Sequence, residues 1–456
     1  MPRIHPDEIT LQGLADSLRT AGLERVLAHL IACRRCQDKV RELLDAKPDR
    51  LSRALARVVP WPGPAPDYAP ALRRGSREFL ERLASFEHER AEAATLWTAL
   101  LGGPPERFEP ALAGEPRYRT WGFVEAILEE SRERTYRDPR DGERFGEIAL
   151  AHVGRLDPAF YGSARLTDLS VRCLGRIANA RRVRADLGGA EEAFARAEAL
   201  LREGTRDPLE RAELWSLKAS LRREQRRLDD AARLLARSIE TFRSTGEEHR
   251  AARCLVTLAN VARTAGQPER AISLLREALP LLDTAAEPRL EFCARHNLIS
   301  FLAEAGQFLA ARRLLAESRP VYRRFPEPWV QLRKAWVEGR IAAGLGQLAS
   351  AERSFLLARD GFVNAEMASD AAQVAFELAG VYARQDRYRE IAEIARGTLA
   401  LFRSLEVPRE SLAAIALLVR AAERGNVPLE AIRQAAAAVA RLGDEAGPQA
   451  PAEGRR

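Results

Sequence analysis

The feature that most constrains the fold of this chain is a pattern that recurs about every 40 residues in its second half. A constant period of this length is typical of repeat proteins, in which each unit is one supersecondary element and stability comes from stacking neighbours. The aligned segments are evenly spaced, since the last four intervals between them are identical and the first is only slightly shorter. The segments begin at Gly188, Arg226, Gly266, Gly306, Gly346 and Asp386.

Each repeat has the composition of two helices joined by a short turn. Glycine at the turn, as at Gly266, Gly306 and Gly346, can adopt the positive φ that ends a helix. Small residues on both sides of the turn would let the two helices approach closely. Five residues after the turn these are Ala193, Ala231, Ala271, Ala311 and Ala351. Seven residues before the turn they are Ala219, Ala259, Gly339 and Ala379.

Bulky residues follow the small ones by four positions, at Leu235, Leu275, Leu315 and Phe355. This arrangement resembles the tetratricopeptide repeat, which has small positions in both helices and a bulky position between pairs. The resemblance covers about residues 158–442, with a period longer than the family's usual length of about 34 residues. HEAT and armadillo units share the longer period but lack a turn followed by a small residue. Ala, Leu, Arg and Glu dominate the composition, which favours helix over strand. We therefore predict an all-α fold, a tetratricopeptide-like helix-pair solenoid preceded by a small helical zinc-finger-like module.

The module is predicted from a metal-ligand pattern near the N-terminus. His29, Cys33 and Cys36 follow the spacing H-x3-C-x2-C in a segment that favours helix, so their side chains would share one helix face. His5 could supply a fourth ligand. Two thiolates and two imidazoles suit zinc in a tetrahedral site. The alternatives are that both cysteines are packing residues, or that they form a redox pair.

The same residues resemble the putative zinc finger of zinc-binding anti-sigma factors, over about the first 45 residues. In that family the ligands would be His5, His29, Cys33 and Cys36, and the surrounding helices hold a sigma factor. This chain departs from the family because no transmembrane helix follows and a proline-rich segment comes soon after Leu44. The combination of head and repeats also resembles a bacterial family of zinc-finger and repeat proteins of undetermined role.

Composition shifts divide the chain into five predicted segments. Prolines at 60–70 favour a stiff, non-helical linker, and positions 443–456 have a composition typical of disorder. The segments are a zinc-finger-like module at 1–57, a linker at 58–70, a helical region at 71–157, the repeat solenoid at 158–442 and a disordered tail at 443–456.

The first helices of stacked pairs are expected to line the inner surface of a superhelix. Arginine and asparagine on that surface would suit a protein or acidic peptide, with tryptophan as an apolar anchor. The alternative is that several of these arginines pair with neighbouring Asp or Glu. The candidate groove residues are Arg182, Arg223, Asn260, Arg263, His296, Trp336 and Arg340.

Charge and motifs argue against other classes of function. The net charge is +7, but the arginines alternate with acids along each helix, which is less typical of nucleic-acid binding than of solvated helix faces. No apolar run is long enough to span a membrane, the N-terminus lacks a signal-peptide pattern, and the five cysteines form no disulfide framework, so we expect a cytoplasmic protein. No phosphate loop, dinucleotide fingerprint or nucleophile elbow is present, so we expect no catalytic residues and no enzyme.

The sequence thus predicts a non-enzymatic adaptor or regulator. Its repeats would bind a protein or peptide, and its zinc head would dock to a second partner. A narrower hypothesis makes the head bind a sigma factor, and a further alternative makes the thiolates a redox-responsive zinc switch.

Overall fold

The structure, a computed structural model, describes residues 69–103, 108–135 and 137–404, together with the single positions 422, 430, 432, 434 and 435. Regular structure in these ranges is entirely helical, which confirms the all-α prediction there. The predicted zinc-finger-like module, nearly all of the linker and the tail lie outside the described residues. The chain divides into two compact units, Met1–Gln225 with Asp229–Ala251, and Arg226–Leu228 with Ala252–Arg456.

The first helix that the structure describes in the first unit, α1, starts inside the stretch expected to be a linker. Ala69 and Pro70 are already helical. Proline is tolerated there because the amides in the first turn of a helix have no partner within the helix, so its missing N–H breaks no hydrogen bond. The helix ends at Leu101, directly before Gly102 and Gly103. The helices of this unit are α1 (Ala69–Leu101), α2 (Phe108–Gly114), α3 (Trp121–Thr135), α4 (Pro139–Val153), α5 (Pro158–Tyr161), α6 (Ser163–Val183), α7 (Leu187–Leu200), α8 (Pro208–Glu224) and α9 (Leu228–Ser244).

Aromatic rings form the core around α1, α3 and α4. Phe123 is fully buried, and its ring meets that of Trp97 edge-on, with centroids 5.6 Å apart. Phe145 approaches the same indole at 5.9 Å. The aromatic residues of this region are therefore core, as their helical spacing indicates.

The second unit is built of helix pairs whose first members are α10, α12, α15 and α17. Helix α10 spans the boundary between the units. No helix in the ranges that the structure describes is long and apolar enough to cross a membrane. The helices are α10 (Glu248–Thr264), α11 (Pro268–Ala278), α12 (Pro288–Glu304), α13 (Phe308–Glu317), α14 (Arg319–Arg323), α15 (Pro328–Gly344), α16 (Leu348–Asn364), α17 (Ala368–Ala383) and α18 (Tyr388–Ser404).

A residue with positive φ separates the two helices of every pair. The predicted glycine turn is confirmed at Gly266, Gly306 and Gly346, with φ of 72°, 74° and 76°. At Gly266 the next residue, Gln267, donates its amide to the carbonyl of Ala262 at 2.9 Å, which closes the helix C-terminus.

The first repeat has a different register from the one expected. Its positive-φ residue is Ala185, at 66°, and Asp186 donates to the carbonyl of Arg181 in the same way. The repeat therefore begins three residues before Gly188, and the small residue five positions after the turn is Ala190 instead of Ala193. The conspicuous glycine pair at 188 and 189 was misleading because both residues already lie within α7.

Small residues bring the two helices of a pair together, as predicted. Ala271, Ala311 and Ala351 are fully buried. The clearest case is Gly339 in α15, where an added Cβ would lie 2.6 Å from the ring of Phe355. The Phe355 ring thus fills the space that a side chain would need, and helices α15 and α16 approach accordingly.

Candidate functional site

A row of half-buried polar side chains crosses the first helices of the second unit. Each lies on the first helix of its repeat, six residues before the turn for Asn260 and Arg340, and nine residues before it for Asn297 and Glu377. We call them the first-helix face: Asn260 on α10, Asn297 on α12, Arg333 and Arg340 on α15, and Glu377 on α17.

Two asparagines form the first step of this row. The Asn297 amide nitrogen donates to Oδ1 of Asn260 at 3.1 Å, which links α10 and α12. Each amide group offers two donors and an acceptor with two lone pairs. This bond uses only one of those donors and one acceptor, so both side chains retain hydrogen-bonding capacity on a half-buried surface.

Arg340 lies at the centre of the face and connects three first helices. Its Nε donates to both carboxylate oxygens of Glu377, at 2.7 and 2.9 Å, and its Nη1 reaches Ser300 at 3.2 Å and Glu304 at 3.0 Å. The guanidinium also lies 4.7 Å from the ring centroid of Trp336. Burial opposes the charge of Arg340, but the carboxylates of Glu377 and Glu304 outweigh it and raise the pKa.

Trp336 is therefore not an exposed apolar anchor. Its side chain is 9% exposed, and its Nε1 donates to Glu377 at 2.8 Å. The indole instead packs against the guanidinium of Arg340 and hydrogen-bonds the carboxylate of Glu377, which Arg340 also binds.

His296 and Cys293 add two neutral groups to this face. His296 Nδ1 lies 2.8 Å from the hydroxyl of Tyr322. Burial, with Arg333 and Arg340 nearby, lowers the pKa of His296 to about 3. Burial also raises the pKa of the free Cys293 thiol. Neither side chain is charged at neutral pH.

Arg263 lies beside Phe301, with its guanidinium 5.7 Å from the ring centroid. At the other end of the face, Arg333 donates to Asp370 at 3.4 Å. Arg333 and Arg340 thus pair with acids of an adjacent repeat, which is the alternative that the sequence left open, whereas Arg263 lies against an aromatic ring.

The two remaining groove candidates belong to the first unit. Arg182 is 8% exposed and donates to Glu224 at 3.0 Å and to Asn179. Arg223 donates to the same glutamate at 2.7 Å. A related ion pair joins Arg172 to Glu210, with Nε 2.9 Å from Oε2. First-helix arginines of both units therefore connect neighbouring repeats.

Sequence reasoning missed the acidic half of these pairs. Glu377 and Asp370 lie 37 residues after their arginines, a separation close to one repeat. That spacing was the available signal, since residues one repeat apart lie on adjacent first helices.

The predicted metal ligands His5, His29, Cys33 and Cys36 lie outside the described residues. Among the residues that the structure does describe, no group of three or more His, Cys, Asp or Glu side chains is placed to hold a metal ion.

Comparison with known proteins shows the nature of the repeats. A family model of the tetratricopeptide repeat matches residues 210–284, which include helices α9, α10 and α11 and most of α8. A sequence search of curated proteins finds no significant match. Residues 210–284 therefore match the tetratricopeptide repeat, and the described helix pairs are tetratricopeptide-like, as the spacing of small residues predicted.

Solved structures with a similar fold include the following two. One is a Rap protein in complex with Competence and Sporulation Factor, with a TM-score of 0.51 and 14% identity, covering 68% of this chain and 85% of that chain. The other is the apo form of the quorum sensor NprR from B. thuringiensis, with a TM-score of 0.50 and 14% identity, covering 68% of this chain and 84% of that chain. At 14% identity the similarity shows a shared fold and nothing about function.

Proposed function

We propose that this protein is a non-enzymatic interaction module whose first-helix face binds an extended segment of a partner protein. The observation that supports this most directly is the Asn260–Asn297 pair, whose unused amide groups lie half-buried on adjacent first helices. An extended peptide presents alternating donors and acceptors along its backbone, and side-chain amides can satisfy both.

The charge balance of the face bears on the kind of segment that would bind. Arg340 is held by Glu377 and Glu304, and Arg333 lies 3.4 Å from Asp370. An acidic peptide would have to displace one of these carboxylates and leave it without its partner, which is costly at a half-buried site. Backbone recognition by the amides therefore explains binding here better than an acidic sequence preference.

The structural neighbours are consistent with such a role. The Rap protein of similar fold was solved in complex with Competence and Sporulation Factor, and NprR is described as a quorum sensor. Repeat folds of this kind present extended surfaces built from successive first helices. We extend the binding role, though not those partners, to this chain.

The experiment is co-purification of the full-length protein from its host, with partners identified by mass spectrometry. The double variant Asn260→Ala/Asn297→Ala removes the amides and should lose the partner. The control Asn364→Ala removes the same chemistry at an exposed position on the second helix α16 and should keep it. An identical partner set for all three proteins would refute the assignment of the site.

For the N-terminal head we propose a zinc site formed by His5, His29, Cys33 and Cys36. The support is the mixed nitrogen and sulfur donor set with H-x3-C-x2-C spacing. Such a head would dock to a second partner, and the anti-sigma resemblance makes a sigma factor the first candidate. Four protein ligands would leave no open coordination position, so the site would be structural.

Metal analysis of the purified full-length protein tests this directly. About one zinc per chain is expected, lost in Cys33→Ala and retained in the control Cys254→Ala, which removes a buried thiol outside the motif. A metal-free wild type would reject the zinc site. Sigma-factor capture that is equal for wild type and Cys33→Ala would reject the docking role, and zinc retention through peroxide treatment would reject a redox switch.

A further inference from the structure

A cluster of exposed arginines lies on the second-helix side of the second unit, on helices other than those of the first-helix face. Helices α13 and α14 present four exposed arginines between positions 312 and 323. We call them the arginine strip: Arg312, Arg313, Arg319 and Arg323.

The strip is held in place by apolar residues on the opposite side of the same segment. Val321 is 9% exposed and Tyr322 3%, and Phe325 follows at 9%. The Tyr322 ring also meets Phe292 edge-on, with centroids 5.3 Å apart. Because these side chains fix α14 against the core, its arginines at positions 319 and 323, one helical turn apart, face solvent.

Unlike Arg333 and Arg340 of the first-helix face, the arginines of the strip have no acidic partner among the residues that the structure describes. No carboxylate within the described ranges lies at ion-pairing distance from any of the four. Residues 306–325 contain five arginines and a single acid, Glu317, whereas the whole chain has a net charge of +7. More than half of that net charge is thus concentrated between positions 306 and 325.

Neighbouring second helices are balanced by comparison. Helix α11 has two arginines and two glutamates, and in α16 Arg359 pairs with Asp360 at 2.7 Å. The excess of positive charge is therefore specific to α13 and α14 and is not a general property of the second helices.

An apolar site adjoins the strip at the N-terminal end of α13. Leu309 is 64% exposed, although most leucines of this unit are covered. It borders a shallow depression lined by Gly306, Phe308 and Leu345. A partner that covers the strip can therefore also bury a hydrophobic side chain, which favours protein over a purely phosphate-based ligand.

We propose that α13 and α14 form a second docking surface, which binds an acidic protein segment containing one apolar side chain. Guanidinium groups pair with carboxylates through two parallel hydrogen bonds, so four unpaired arginines can orient such a segment. The strip spans roughly 17 Å along a helix, the length of about five extended residues. The aromatic residues of 306–325 are buried or half-buried, so they offer no exposed ring for the base stacking that single-stranded nucleic acid uses.

The test measures binding of a fluorescein-labelled peptide, Asp-Glu-Asp-Leu-Asp-Glu-Asp, to the full-length protein by fluorescence anisotropy. The strip variant replaces Arg312, Arg313, Arg319 and Arg323 with glutamine and should weaken binding by about tenfold or more. The matched control makes the same four-charge change on other second helices of the unit, in Arg270→Gln/Arg276→Gln/Arg389→Gln/Arg396→Gln, and should keep most of the affinity. Circular dichroism checks that both variants are folded.

Two further arms identify the occupant. The variant Leu309→Ser should weaken the leucine peptide by about threefold or more, while leaving a peptide with alanine in its place unchanged. A poly-dT 12-mer and phosphatidylglycerol vesicles are measured in parallel. Three results would each overturn the proposal. They are equal peptide binding by the strip and control variants, no peptide binding by the wild type, and tighter binding of DNA or vesicles than of the peptide. Because Asn260 and Asn297 are unchanged in these variants, failure here is separate from failure of the first-helix face.

Discussion

Replacing Gly266 with alanine should destabilise the second unit, although nothing blocks the new methyl group. Gly266 has φ of 72°, and no atom lies within 4 Å of the position that a Cβ would occupy. The effect of Gly266→Ala therefore comes from the backbone conformation alone. The same substitution at Gly380 tests the opposite case, because that residue lies inside helix α17 with equally open space around it.

The expected magnitudes follow from the two conformations. A left-handed residue with a Cβ costs roughly 1–2 kcal/mol, and the lower entropy of the unfolded alanine chain offsets roughly 0.4–1 kcal/mol of this. The free energy of unfolding should therefore fall by about 1 kcal/mol in Gly266→Ala. In Gly380→Ala it should rise by about 0.8–1 kcal/mol, the difference in helix propensity between the two residues. The variants should thus differ by about 2 kcal/mol.

Urea unfolding followed by circular dichroism measures both changes, and Gly306→Ala and Gly346→Ala repeat the first at equivalent turns. The midpoints of the turn variants should move down and that of Gly380→Ala up, at unchanged slope. If Gly266→Ala and Gly380→Ala shift the midpoint in the same direction, the assignment of these glycines to left-handed turns is incorrect.

Three other substitutions test the packing and electrostatics of the two units. Gly339→Ala should lower the free energy of unfolding by about 1–3 kcal/mol, because its Cβ would lie 2.6 Å from the Phe355 ring; chemical denaturation measures this. Glu210→Gln should cost about 2 kcal/mol, because it removes the charged acceptor of Arg172, whose Nε lies 2.9 Å from Oε2; thermal unfolding of both proteins gives the difference. His296 has a pKa of about 3 in the folded protein. Between about pH 6.5 and pH 3 the unfolded chain therefore binds a proton at this residue that the folded chain does not. The free energy of unfolding should fall across this range by up to about 1.4 kcal/mol per pH unit. The His296→Gln variant should show a smaller decline in a pH series of urea midpoints.

Each substitution has a control that changes the same chemistry elsewhere. Gly380→Ala adds a methyl group in open space, and Glu129→Gln removes an exposed partner of Arg132. His88→Gln removes a histidine whose side chain is 79% exposed. Equal losses from Glu210→Gln and Glu129→Gln, or parallel pH profiles for His296→Gln and wild type, would contradict the corresponding contact.

Local features of the fold could be predicted because their causes lie within a few residues. The turn at Gly306 depends on the ability of one glycine to adopt positive φ, which sequence displays directly. The register of the first repeat could not be read in this way. Ala185 adopts the same conformation without being glycine, and the hydrogen bond from Asp186 to Arg181 identifies it only in the structure.

The sequence predicted which residues lie on the first-helix face, but not which of them are paired or buried. Counting from the turns placed Asn260 and Arg340 on the first-helix face, because a helix has a fixed period. It did not reveal that Glu377 holds Arg340, or that Trp336 lies beneath that pair at 9% exposure. These facts depend on the distance between first helices of adjacent repeats, which packing sets.

By itself, then, the sequence determined the all-α class, the period of the repeats and the positions of the glycine turns at Gly266, Gly306 and Gly346, since these follow from local backbone preference and helical geometry. Only the tertiary structure decided which charges are free. Arg340 and Arg313 are both repeat arginines, yet one meets a carboxylate on the next first helix and the other faces solvent on α13. The difference arises because pairing needs an acid within a few ångströms in space, and among the described repeats stacking brings one to Arg340 but none to the arginine strip.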